Sequence, residues 1–143
     1  MGLGKTTLCK SIIHGFGYAG VVTSPTYNLI QEYSVSSGTI YHMDLYRLQD
    51  PAELEYLALA DLWTDQSLFL VEWPEHGAGF LPAATAQIAI DTVTKQVSHR
   101  RQICFSKFVD EWNVLEAQLS VFARVTIVYT NKLPVDVNWH YVN

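Results

Sequence analysis

The residues best suited to chemistry stand at the start of the chain, in Met1-Gly2-Leu3-Gly4-Lys5-Thr6-Thr7-Leu8. This stretch is the back half of a phosphate-binding loop, G-x-x-x-x-G-K-[ST], running into a helix. Gly4 has no Cβ, so backbone N–H groups can close around phosphate oxygens. The Lys5 ammonium would reach the β- and γ-phosphates of a nucleotide, and the Thr6 hydroxyl would be a ligand for Mg2+. A helix predicted over residues 6–16 turns its positive N-terminal end to the same anion. In the complete motif another Gly lies five residues before Gly4, ahead of Met1, and a strand feeds the loop. The expectation is a chain that lacks both.

Two further groups have matching chemistry. Residues 39–44 (TIYHMD) and 67–72 (SLFLVE) read as strands that end on carboxylates, Asp44 and Glu72. Ligands of open α/β sheets bind beyond the carboxyl ends of strands. An apolar strand ending in an acid is also the physical form of the second metal-side motif of phosphate-loop enzymes, where the acid steers Mg2+ and water. Thr6, Asp44 and Glu72 would then meet at one edge of one sheet. Each has a plainer reading alone: Glu72 as a helix cap or solvated strand end, Asp44 as a partner for Arg47. Convergence of the three is what favours a site.

Other candidates weigh less. His42 shares a strand face with Asp44, either as a metal pair or, more ordinarily, as a structural histidine with its hydrogen bonds satisfied. Ser24 with distant His and Asp residues lacks the G-x-S-x-G elbow of a hydrolase. Trp73 and Tyr27 are read first as core aromatics, with stacking on a base as the functional alternative.

The elements that must position these groups follow from pattern. Gly15, Gly17 and Gly20 end the first helix. Residues 21–23 (VVT) form a short β-prone run, and Pro25 keeps Ser24 extended. Residues 28–35 read as a strand, and Ser36-Ser37-Gly38 as a turn into the strand that ends at Asp44. Asp50-Pro51-Ala52-Glu53 starts a helix with Asp50 as N-cap and Glu53 completing a capping box. That helix reaches about Leu57, with a second helical turn over 60–63. The loop 73–77 (WPEHG) follows the strand ending at Glu72. Residues 86–90 and 101–105 alternate as hairpin partners. Phe108, Trp112, Leu115, Leu119 and Phe122 recur at helical steps, and 125–129 reads as a strand.

The composition sets the class. In 143 residues, 49% are hydrophobic and 16% charged, which gives a globular domain rather than a disordered chain. The net charge of −5 is a poor footprint for gripping nucleic acid unaided. Cys9 and Cys104 match no metal-ligand or redox spacing and read as reduced thiols on apolar faces. No run of about 18 apolar residues and no signal segment occur. The expectation is a cytoplasmic protein with no membrane association.

Three strings, SPTYNL (24–29), HMDLYRL followed by Asp50-Pro51, and VEWPEHG (71–77), taken in order with the loop helix, closely resemble the bacterial TsaE (YjeE) family. The resemblance runs from Met1 to about Ile90. It implies a small ATPase of tRNA threonylcarbamoyladenosine modification, with ATP and Mg2+ as cofactors. By resemblance, Gly2, Leu3, Gly4, Lys5, Thr6, Thr7 and Trp73 would hold ATP, and Thr6 and Glu72 would hold Mg2+. Thr26 would be a switch residue near the γ-phosphate, and Asp44 would be catalytic or water-positioning alongside Glu72. Arg100 or Arg101 would reach a phosphate. The partners implied are TsaD and TsaB, with tRNA reached only through them.

The fold expected is α/β, a phosphate-loop sheet incomplete at its N-terminus with a β-rich second half. Residues 1–123 would be the ATPase domain and 124–143 an extension of unknown role. Two alternatives stand beside the ATPase: a truncated, non-catalytic interaction module, and a small-molecule kinase, for which no Arg-bearing lid follows Leu45.

Overall fold

The computed structural model describes residues 3–25, 27–81, 84, 86–92 and 101–107. The chain divides into two compact units, one of them Lys5–Pro82. That unit opens with helix α1 (Lys5–Gly15), followed by strands β1 (Ile30–Val35) and β2 (Gly38–Asp44). A 3-10 helix (Pro51–Leu57) and the one-turn α2 (Leu59–Leu62) then lead to β3 (Ser67–Glu72) and a 3-10 turn (Pro74–Gly77).

The sheet order is β1-β2-β3. β1 and β2 form an antiparallel hairpin through the turn at Ser36-Ser37, with Val35 opposite Gly38. Gly38 has φ +142, and a Cβ there would lie 2.1 Å from the Gln66 carbonyl oxygen, so only glycine lets the two chains meet. β2 and β3 run parallel, from Thr39 opposite Ser67 to Asp44 opposite Glu72. A parallel pair needs a crossover, and the two short helices of 51–62 supply it.

Strand alternation divides the side chains between two layers. Met43 belongs to a core with Leu45, Leu48, Leu54 and Leu59, against which Phe69, Val71 and Trp73 pack. On that side Tyr41 stacks on Phe69 and Phe69 on Trp63, at 4.8 and 3.9 Å between ring centres. The alternate residues Ile40, His42 and Asp44 are all buried. Helix α1 contacts β3, and its Cys9, Ile12 and Ile13 are buried.

The capping box is present as the sequence predicts. Ala52 N–H donates to the Asp50 carboxylate at 2.9 Å, and Asp50 N–H donates to Glu53 at 3.0 Å. The helix it starts is 3-10 rather than α, and Ala58 in left-handed conformation (φ 47) separates it from α2.

Residues 21–23 are not a strand. Val21 is 83% exposed, and this segment lies outside the three-stranded sheet. Its β propensity finds no ladder to join, while Tyr33 Oη donates to the Thr23 carbonyl at 3.2 Å and ties the segment down as coil. The strand predicted from residue 28 begins at Ile30, because Leu29 adopts φ 58 and its carbonyl accepts from Asp44 N–H at 3.0 Å.

The second unit includes Ala83–Asn143. Its described elements are β4 (Ala86–Thr92) and β5 (Arg101–Lys107), an antiparallel pair with Ile88 opposite Phe105. The pairing is the one that the alternation predicts. The helix and strand expected beyond residue 107, and the boundary at 123/124, lie outside the described residues.

Candidate functional site at the carboxyl ends of the parallel strands

The parallel register brings Asp44 and Glu72 side by side as the last residues of β2 and β3. The ladder continues one step beyond, where Leu45 N–H donates to the Glu72 carbonyl at 3.0 Å. Both carboxylates are buried, Asp44 at 6% exposure and Glu72 at 2%. Buried carboxylates need hydrogen-bonding or cationic partners, because burial alone penalises their charge.

Glu72 uses both oxygens. Thr6 Oγ1, in the first turn of α1, donates to Oε2 at 3.2 Å. Its Oε1 lies 3.0 Å from Nε2 of fully buried His42. A carboxylate only accepts, so Nε2 is the donor. Helix, central strand and neighbouring strand thus converge on one carboxyl group. Asp44 accepts from Tyr46 N–H at 3.2 Å, which folds the chain back after β2.

The Thr6 and Glu72 oxygens suit Mg2+. They are hard donors, and two adjacent ligands of an octahedral Mg2+ lie about 2.9 Å apart when each metal–oxygen bond is 2.0–2.1 Å. The observed separation of 3.2 Å needs little adjustment.

Immediately after Glu72, Trp73 is held at φ 59, ψ 50. A bulky residue in left-handed conformation costs on the order of 1–3 kcal/mol and is found chiefly where surrounding structure enforces it. The turn directs the indole toward α1, and Lys5 Nζ lies 4.1 Å from the ring centre. Tyr46 lies against the same indole at 5.0 Å. His76 Nδ1 lies 2.9 Å from the Leu45 carbonyl oxygen and holds the far side of the cluster.

The structure therefore joins four of the predicted site residues by direct contact, Thr6 to Glu72 and Lys5 to Trp73, with Asp44 beside Glu72 in the ladder. Gly4 has φ +94, a conformation that glycine adopts freely, directly before α1. Leu3 is half-buried, whereas Thr7 is exposed and its carbonyl accepts from Ser11 Oγ. Gly2, Thr26 and Arg100, together with the Arg101 side chain, lie outside the described residues. Tyr27 is not a core residue: it is 84% exposed, with the Arg47 guanidinium 4.7 Å from its ring centre. His42 bonds through Nε2 to Glu72 rather than to a group on its own strand, and its Nδ1 has no hydrogen-bond partner among the described residues, so the satisfied structural histidine of the ordinary reading is met only in part. Only the β2–β3 register reveals that partnership.

Parallel strands closing on a carboxylate pair, with helix α1 delivering a hydroxyl onto one of them, define a mixed α/β protein with its candidate site at the strand carboxyl ends. A family model described as "Threonylcarbamoyl adenosine biosynthesis protein TsaE" matches residues 1–103, and the chain belongs to that family. Relatives named "tRNA threonylcarbamoyladenosine biosynthesis protein TsaE" include one from Haemophilus influenzae, 47% identical over 91 residues. That match covers 64% of this chain and 58% of the relative. The Bacillus subtilis relative is 35% identical over 84% of this chain and 73% of its own. The Rickettsia conorii relative is 31% identical over 94% and 75%. The chain thus spans less than two thirds of the Haemophilus relative and about three quarters of the other two.

Proposed function

We propose that this chain binds and hydrolyses Mg·ATP at the carboxyl ends of β2 and β3, in the service of tRNA threonylcarbamoyladenosine biosynthesis. The contact between Thr6 Oγ1 and Glu72 Oε2 carries the reading. A hydroxyl that follows Gly-Lys and a carboxylate that ends an apolar strand are the pair that hold the metal in phosphate-loop enzymes.

In this reading the first turn of α1 presents N–H groups to the phosphates, and Lys5 leaves the Trp73 indole to meet them. Thr6 and Glu72 would hold Mg2+, which when bound would neutralise charge building on the phosphate oxygens. Asp44, beside Glu72, orients the attacking water, with Thr26 as the switch residue near the γ-phosphate. His42 holds Glu72 in place. Catalysis comes from positioning and charge stabilisation.

The names of the family and of its relatives support the pathway, and TsaD and TsaB are the proposed partners. A net charge of −5 supports reaching tRNA through them, and the reading puts the chain in the cytoplasm with them. Among the described residues, no helix is long and apolar enough to cross a membrane.

The test is threonylcarbamoyladenosine content, measured by mass spectrometry in tRNA from bacteria depleted of their own family member. Expression of this chain should restore the modification, and Lys5→Ala and Glu72→Ala should not. Restoration by both variants at equal protein level would overturn the site; no restoration by the unaltered chain would overturn its role.

A further inference from the structure

Behind the Thr6–Glu72 contact lies a second constellation. Cys9 on α1, His42 on β2 and Glu72 on β3 each offer one ligand atom, and the three atoms lie within 4.8 Å of one another. Cys9 and His42 are fully buried and Glu72 nearly so. Three elements hold the three donors, so their spacing is fixed by the packing of α1 on the sheet.

The donor set is sulfur, nitrogen and oxygen. Magnesium takes oxygen ligands, whereas thiolate and imidazole select zinc and related ions. Tetrahedral zinc, with bonds of 2.0–2.3 Å to N, O and S, spaces its ligands about 3.3–3.6 Å apart. The His42–Glu72 separation of 3.0 Å is already near that value, and the separations to Cys9, each within 4.8 Å, would close by up to about 1.2 Å.

The imidazole can reach this cluster only through the nitrogen that faces Glu72. Its Nε2 donates to Glu72, so in the neutral ring Nδ1 carries the lone pair. Nδ1 is buried and has no hydrogen-bond partner among the described residues. Nε2 is the nitrogen that faces Glu72, so it is the one that would take the metal, and the ring proton would then pass to Nδ1.

We propose that Cys9, His42 and Glu72 form a buried site for a zinc-like divalent cation, with three protein ligands and one open position. Binding releases the Cys9 thiol proton to solvent and leaves a thiolate–metal bond. Because Glu72 serves both sites, zinc on its Oε1 draws its charge away from a metal at Oε2 and opposes Mg·ATP binding, a consequence that rests on the nucleotide reading above.

The test uses the whole chain without nucleotide. Zinc X-ray absorption on the unaltered chain should show one sulfur at about 2.3 Å among nitrogen and oxygen ligands. In the cobalt-substituted chain, the thiolate-to-metal charge-transfer band should vanish in Cys9→Ala and persist in Cys104→Ala. A shell of nitrogen and oxygen alone, or a band that survives Cys9→Ala, would overturn the site. The absorption measurement needs no variant, so a Cys9→Ala chain that failed to fold would leave the test intact. Neither readout uses ATP, so a failure of turnover would count against the nucleotide site and not against this one.

Discussion

Glu72 is the residue on which the site turns. Its two oxygens are committed in different directions, one to His42 and one to Thr6, so the side chain is oriented before any ligand arrives. Such preorganisation is what makes a polar group effective in a site that excludes water. Lys5 is placed differently. It rests over the Trp73 face, a contact worth about 0.5–2 kcal/mol that a phosphate ligand must displace. Trp73 should therefore report nucleotide. With Trp63, Trp112 and Trp139 replaced by Phe, the emission of Trp73 should change on adding Mg·ATP, and Lys5→Ala should abolish that change. Unaltered emission when calorimetry shows Mg·ATP bound would remove Lys5 from the phosphate site.

At the scale of elements, local rules carried some assignments and tertiary contacts decided others. The capping box was legible because its three residues sit within four positions of one another. Asp50→Ala should cost about 0.5–2 kcal/mol, read as a lower urea midpoint with unchanged slope; an unchanged midpoint would show that the box contributes nothing. β3 was legible from four consecutive apolar residues closed by an acid, and its observed bounds coincide with the predicted ones. Residues 21–23 misled because propensity cannot supply a partner strand.

Gly38 illustrates the other kind of information. In sequence it is one turn residue among three. In the fold it is the point where β2 passes the Gln66 carbonyl with no room for a Cβ. Gly38→Ala should destabilise by more than the ~1 kcal/mol typical of a glycine change in a permissive backbone. A chemical-denaturation midpoint equal to that of the unaltered chain would contradict the close approach. The partnership of His42 with Glu72 was hidden for the same reason: 30 residues separate them, and only the β2–β3 register joins them.

For the whole molecule, net charge and site charge point opposite ways. The chain carries 14 acidic against 9 basic residues, yet the proposed ligand is a polyanion. On the proposed reading, binding comes from local groups, the α1 N-terminus, Lys5 and a metal that Thr6 and Glu72 would hold, rather than from the overall field. Family membership rests on a match over residues 1–103, a span that includes every residue proposed to act.

The most direct test is phosphate release from ATP by the purified chain, with and without Mg2+, compared with Glu72→Ala. Slow, Mg2+-dependent release that falls at least tenfold in the variant, with its helix content retained by circular dichroism, is the predicted result. Release that is equal in the two proteins would contradict the placement of ATP hydrolysis at the ends of β2 and β3.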